Sequence, residues 1–272
     1  MTDRYAVFGN PIEHSLSPVI HTAFAAQTGQ AIDYQRHRID VDKFSAAVEE
    51  FFNNGGCGLN ITVPFKLEAY RLVQELSQSA QRAGAVNTLY KDGGRLTGDN
   101  TDGIGLCNDL QENLKWSIKD SRVLVLGAGG AVRGILLPLL EAGPVQVIIA
   151  NRTLDKAVKL VSQFGTDALD RRIELHAHSF EEIRQPFDIV INGTSASLDK
   201  QLPPISPRAV SNSLCYDMMY AAAPTTFLSW AAREGAKSVA DGLGMLVEQA
   251  AESFYIWRGV RPQTQSIIAE LR

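Results

Sequence analysis

Lys66 and Asp102 carry the residue types that a carbonyl reduction asks for. Lys66 closes the run Asn60-Ile61-Thr62-Val63-Pro64-Phe65-Lys66, and Asp102 lies in Asp99-Asn100-Thr101-Asp102-Gly103. A ketone reductase needs a hydride donor, a proton donor and groups that hold the substrate. An ammonium is acidic enough to protonate a developing alkoxide, and a carboxylate beside it would hold it in place. The competing reading of Asp102 is a helix N-cap or a first-turn acid near the positive end of the dipole. Spacing alone does not show that the two residues meet.

The hydride donor has a candidate seat. Val123-Leu124-Val125-Leu126 reads as a strand buried on both faces, and Gly127-Ala128-Gly129-Gly130-Ala131 turns from it into a helix. Strand, glycine turn and helix aim backbone N–H groups and a helix dipole at a phosphate. Gly127 and Gly129 fit the dinucleotide pattern, but its sixth position is Val132, so the match is incomplete. The next strand, Val145 to Ala150, ends in Asn151-Arg152-Thr153. No carboxylate stands there to bind a ribose 2′-hydroxyl. Arg152 offers a permanent planar charge for a 2′-phosphate, Thr153 could donate to it while capping the next helix, and Lys156 lies one turn in. NADP is therefore expected over NAD.

Ser15-Leu16-Ser17-Pro18 opens a helix. Capping alone would explain Ser17, with Pro18 at the first helical position, whereas Ser15 has no such role and could help hold a polar, anionic ligand. Asn60 and Thr62 are expected to point the same way along one strand. Gln249, on a helix after a glycine run, could reach back to a substrate.

The elements that must position these groups fall into two patterns. Strands are expected over 4–8, 32–39 and 58–63, and a hairpin turns at Asp92-Gly93-Gly94. Helices are expected after Pro18, over 41–52, from about Leu67 to Leu76, over 79–84 and over 104–114. From Arg122 strands and helices alternate regularly, as in a doubly wound sheet. The expected boundary is the polar run ending at Asp102. It gives one domain of 1–102 plus 242–272, with the last helices packing back, and a second of 103–241.

The chain has 272 residues, 45% hydrophobic and 21% charged, with a net charge of −4. That balance suits a globular chain and gives no electrostatic reason to expect nucleic acid or an anionic membrane as partner. No apolar run is long enough for a spanning helix. Cys57, Cys107 and Cys215 form no paired motif, which points to a reduced, cytoplasmic setting. The histidines form no metal-ligand cluster; His176 and His178 read as a solvated strand face, and no metal is expected.

Eight blocks in order resemble the shikimate dehydrogenase family: Ser15–Pro18, Asn60–Lys66, Gly84–Thr88, Asp99–Gly103, Gly127–Ala131, Asn151–Thr153, Tyr216–Tyr220 and Asp241–Gln249. The resemblance covers essentially the whole chain. It implies an α/β chain with an N-terminal mixed α/β substrate domain, a doubly wound Rossmann-like NADP domain, and an active site in the cleft between them. It implies reversible NADPH-dependent reduction of 3-dehydroshikimate to shikimate in aromatic amino-acid biosynthesis. Lys66 and Asp102 match the family's catalytic pair. Ser15, Ser17, Thr62, Asn87, Tyr220 and Gln249 match residues that hold the hydroxyls and carboxylate of shikimate. Gly127 to Ala131, Asn151 to Lys156, Met218 and Gly242 match residues that line the cofactor. The chain departs from the family at Lys156, often arginine, and at Gly193 in Asn192-Gly193-Thr194-Ser195, usually alanine; the latter is expected to loosen the loop over the cofactor. The expected state is a monomer or homodimer. The alternatives are a quinate/shikimate dehydrogenase using NAD, and a non-catalytic NADP-binding sensor.

Overall fold

The computed structural model describes residues 2–194 and 201–272, and Ser195 lies outside them. The chain divides into two compact units, Met1–Gly105 with Val247–Arg272, and Leu106–Leu246. No described helix is long and apolar enough to cross a membrane.

In the first unit six strands form one sheet: β1 (Asp3–Gly9), β2 (Ile32–Arg38), β3 (Gly56–Ile61), β4 (Glu75–Leu76), β5 (Thr88–Asp92) and β6 (Arg95–Asp99), in the order β2-β1-β3-β5-β6-β4. Only β5 runs against the others, because Gly93 and Gly94 take φ of 53° and 84° and fold β5 back on β6 in a tight hairpin. The helices are α1 (Ser17–Thr28), α2 (Phe44–Asn53), α3 (Lys66–Leu72), α4 (Gln78–Ala83), the start of α5 (Asp102–Asn108), most of α9 (Leu243–Arg258) and α10 (Gln265–Leu271). Phe44, Phe52, Phe65 and Ala69 pack under one face of the sheet with Phe8, Leu59 and Ile61. On the other face Trp257 packs with Tyr5, Val7 and Tyr34.

Pairing places the chemistry-bearing residues along one sheet edge. Asn60 lies beside Thr88, and Thr88 beside Asp99. The segments beyond these positions, Thr62–Lys66, Asn87 and Asn100–Asp102, therefore all leave from the carboxyl edge of the parallel strands, the edge where open α/β sheets bind ligands.

Three local expectations change. The helix begun at Lys66 ends at Leu72, not Leu76, because Val73 turns extended and Gln74 N–H bonds Leu96 O, which leads Glu75–Leu76 onto β6 as a short parallel strand. The helix expected over 104–114 begins at Asp102 and widens into a π turn over Asp109–Asn113. Ser17 is the first helical residue of α1, not its cap: no side-chain bond caps the helix through Leu16, and Ser15 Oγ accepts from Ser17 N–H at 3.3 Å.

The second unit is a doubly wound parallel sheet of β7 (Arg122–Leu126), β8 (Gln146–Ala150), β9 (Glu174–His178), β10 (Ile189–Asn192), β11 (Leu214–Asp217) and β12 (Ser238–Asp241), in the order β12-β11-β10-β7-β8-β9. Val123, Val125, Val147 and Ile149 face α6 (Gly130–Glu141) and α7 (Leu154–Asp170). Leu124, Leu126, Ile148 and Val190 face α8 (Thr226–Arg233). Apolar residues on both faces explain why β7 reads as an unbroken hydrophobic run rather than an alternation. Leu126, Ala150, Asn192, Asp217 and Asp241 end their strands in register. The loops at Gly127, Asn151, Gly193, Met218 and Gly242 thus leave one edge together.

Candidate active site

In the first unit Lys66 Nζ donates to Asp102 Oδ2 at 2.6 Å, with the side chains 31% and 14% exposed. The bond follows from topology: Lys66 starts the helix after β3, and Asp102 starts the helix after β6. Asp102 is not the N-cap. Asn100 Oδ1 accepts from Asp102 N–H at 3.1 Å, while Asn100 Nδ2 donates to Ala85 O. Asp102 is instead the first helical residue of α5, the first-turn acid of the competing reading, and its carboxylate takes both Lys66 and Asn87, whose Nδ2 donates to Asp102 Oδ1 at 2.9 Å. A carboxylate with each oxygen taken by a donor has a fixed plane, and the ammonium it holds points in a fixed direction.

Asn87 is 2% exposed, and Gln249 Oε1 lies 3.4 Å from its Nδ2. Ser15 Oγ donates to Ser17 Oγ at 3.2 Å at the entrance of α1. Thr62 stands past the end of β3, its N–H bonded to Phe8 O. Asn60 does not share an open face with Thr62: it is 6% exposed, and Tyr34 Oη donates to its Oδ1 at 2.7 Å. Its amide belongs to the interior. Ser15, Ser17, Thr62, Lys66, Asn87, Asp102 and Gln249 thus fall in the first unit. Tyr220, 38% exposed, falls in the second, where partial desolvation pushes its phenol above the ordinary tyrosine value.

The second unit holds a groove of about 460 Å³ lined by Gly127–Ala131, Asn151, Arg152, Lys156, Phe180, Gly193, Thr194 and Gln201–Pro204. Gly127 takes φ of 108°, and a Cβ there would stand 3.1 Å from Gly193 O, so the turn needs glycine. A Cβ on Gly129 or Gly130 would meet nothing within 4 Å; the backbone lies open to whatever fills the groove. Open amides at the start of α6, with two exposed cations and no carboxylate among the residues that line the groove, fit a dinucleotide bearing a 2′-phosphate. Thr153 is the N-cap residue of α7 but its side chain makes no capping bond; its carbonyl accepts from Asn151 Nδ2 at 2.8 Å. Met218 and Gly242 lie against each other, since a Cβ on Gly242 would stand 2.2 Å from Met218 O. Sequence reading missed Phe180 and the Gln201–Pro204 wall, which carry no spacing signal, whereas Thr194 lies in the Asn192–Ser195 run expected over the cofactor.

Val132 and Gly193 account for each other. Val132 is fully buried, and its Cγ2 stands 2.5 Å from where a Cβ on Gly193 would be, with Met218 Sδ at 3.1 Å. The glycine is filled space, not slack, so the loosened loop expected from sequence is not what the packing provides. Gly193→Ala is expected to destabilise the fold by about 1–3 kcal/mol through overpacking against a stiff β-branched side chain. Combined with Val132→Ala, the cost should be less than the sum of the two single changes. Denaturant titration of the four proteins measures this; strict additivity would contradict the pairing.

Known proteins agree with this architecture. The model of the shikimate dehydrogenase substrate-binding domain matches residues 7–89, that of shikimate/quinate 5-dehydrogenase residues 109–201, and that of the shikimate 5′-dehydrogenase C-terminal domain residues 242–272. The shikimate dehydrogenase (NADP(+)) of Herminiimonas arsenicoxydans is 55% identical over 273 residues, covering 100% of this chain and 98% of the relative. The chain belongs to the shikimate dehydrogenase family. Among solved structures of like fold, an Ael1 enzyme from Pseudomonas putida superposes with a TM-score of 0.93 at 46% identity, covering 99% of this chain and 98% of that one. Shikimate 5-dehydrogenase from Thermus thermophilus, solved in complex with NADP(H) and shikimate, gives 0.85 at 31% identity and covers 98% of both chains.

Proposed function

We propose that this chain catalyses the NADPH-dependent reduction of 3-dehydroshikimate to shikimate, reversibly, in aromatic amino-acid biosynthesis, with Lys66 and Asp102 as the catalytic pair. The observation that carries the pair is the 2.6 Å bond between them at the carboxyl edge of the first sheet, in a chain of this family. NADPH, when bound, supplies the hydride. Gly127 to Ala131 would offer amides to its pyrophosphate, Asn151, Arg152, Thr153 and Lys156 would hold its 2′-phosphate, and Met218 and Gly242 would line the rest of its seat. In the direction of reduction Lys66 gives its proton to the substrate's carbonyl oxygen, and in oxidation it takes the proton back. Asp102 binds the substrate hydroxyl and keeps Lys66 aimed.

Ser15, Ser17, Thr62, Asn87, Tyr220 and Gln249 would hold the hydroxyls and carboxylate of shikimate. Hydroxyls, amides and a phenol suit a polyol acid, since each substrate hydroxyl both donates and accepts. The working setting in this reading is the cytoplasm, as a monomer or homodimer, without nucleic acid as partner.

Steady-state rates with shikimate and quinate, each paired with NADP and NAD, test the reading. High kcat/KM is expected only for shikimate with NADP. Comparable efficiency with quinate and NAD would favour a quinate/shikimate dehydrogenase, and no turnover with any pair would leave an NADP-binding sensor.

A further inference from the structure

A chain of buried hydrogen bonds ends on Asp102, and its direction follows from groups that can play one role only. Thr101 N–H donates to Asn87 Oδ1 at 2.9 Å, which fixes the Asn87 amide with its nitrogen toward Asp102. Thr88 Oγ1 donates its one hydrogen to the same Asn87 Oδ1 at 2.9 Å. With that hydrogen on Asn87, Thr88 Oγ1 accepts from the Ser253 hydroxyl at 2.8 Å and from Asn60 Nδ2 at 3.4 Å, while Gln249 O, 3.1 Å from Ser253 Oγ, competes for the same Ser253 hydrogen. Ser253 Oγ in turn accepts from Asn60 Nδ2 at 3.0 Å. The Asn60 amide is fixed as well, because its nitrogen also faces the acceptor-only carbonyl of Asn87 at 3.3 Å. Its Oδ1 takes the Tyr34 hydroxyl and His21 Nε2 at 3.1 Å. His21 therefore carries its hydrogen on Nε2, and burial, which pushes its pKa down to about 3, keeps the ring neutral.

Every donor in this line points toward the carboxylate: Asn60 to Ser253, Ser253 to Thr88, Thr88 to Asn87, Asn87 to Asp102. Bonds aligned in one sense polarise each other in a dry interior. Thr88 and Ser253 are 0% exposed, out of reach of any substrate. We propose that Thr88 and Ser253 are positioning residues for the reaction, acting through the Asn87 amide to hold one Asp102 oxygen while the other is kept for Lys66. This rests on the reading of Lys66 and Asp102 as the catalytic pair.

Thr88→Val keeps the shape and removes the hydroxyl, whereas Thr88→Ser keeps the hydroxyl and removes a methyl. In the full chain, T88V is expected to lower kcat about tenfold, the scale of one lost hydrogen bond, with KM for shikimate within about threefold of the parent. T88S should recover most of that loss. In 15N-labelled protein without ligands, the side-chain NH2 signals of Asn87 should shift in T88V and stay near their parental positions in T88S. Equal losses in the two variants, parental kcat in T88V, or unmoved Asn87 signals would each overturn the proposal. Should T88V fail to fold, Ser253→Ala is judged by the same Asn87 signals, where no shift overturns it. A parental chain inactive on shikimate would instead sink the proposed activity, while the Asn87 signals would still decide whether Thr88 holds the amide.

Discussion

Replacing Lys66 by alanine is expected to lower turnover about 10²–10⁴-fold, the usual worth of a positioned acid–base group, with a smaller change in KM. Among the described residues two side chains donate to Asp102, and of these the Lys66 ammonium is an acid that can hand on a proton, whereas Asn87 Nδ2 is an amide. Lys66→Arg separates proton transfer from charge. A guanidinium keeps the positive charge beside Asp102 but does not give up its proton, so K66R should be nearly as slow as K66A. If charge alone mattered, K66R would stay within about tenfold of the parent. Both variants should fold, since a partly exposed ion pair contributes little to stability and Asp102 retains its bond from Asn87. Circular dichroism and melting temperatures near the parental values would secure the kinetic comparison. Near-parental turnover in K66A would remove Lys66 from the mechanism.

The fold was legible where short-range signals coincide with structure. β7 is an apolar run ended by glycine, the β5–β6 turn carries Asp92-Gly93-Gly94, and α1 ends at Gly29 with φ of 66°. The Lys66–Asp102 pair was legible as two residue types in two motif-like segments, though the bond needed the β3-β5-β6 order that no spacing reveals. What stayed hidden was mostly long-range. Thr88 and Ser253 lie 165 residues apart, each unremarkable in its own segment. Val132 looks like a flaw in the glycine pattern until Gly193 is placed beside it. Other misses were contests between neighbours with equal propensity. Asp102 has the residue type of a cap, yet α5 begins at it, and Asn100, held through its amide nitrogen by Ala85 O, accepts from its N–H. Ser15 and Ser17 compete similarly, and Ser15, two residues upstream, supplies the oxygen to the helix's first N–H. The two-residue β4 is too short to show any period.

Arg152→Gln is expected to raise KM for NADP about 10–100-fold and to leave KM for NAD nearly unchanged. The magnitude is that of a lost hydrogen-bonded charge contact, about 1.5–3 kcal/mol. Arg152 lies at the carboxyl end of β8 with Asn151, and both line the groove with the open glycines. NAD lacks only the 2′-phosphate, so a residue that binds the pyrophosphate would weaken both cofactors equally, while a residue that binds the 2′-phosphate weakens one. Lys156→Ala should have the smaller effect of the two, about threefold to tenfold, because an ammonium cannot grip phosphate with two parallel bonds. Both side chains are exposed, so the advantage of NADP should also shrink as salt rises from 0.05 to 0.5 M, values chosen to take the screening length from roughly 14 to 4 Å. Adding Asn151→Asp to Arg152→Gln places a carboxylate at the strand end, where it can accept from a ribose 2′-hydroxyl and repel a phosphate. The kcat/KM ratio of NADP to NAD should then fall further than for R152Q alone. Equal loss with both cofactors in R152Q would mean that Arg152 holds the loop or the pyrophosphate and that cofactor choice is made elsewhere in the groove.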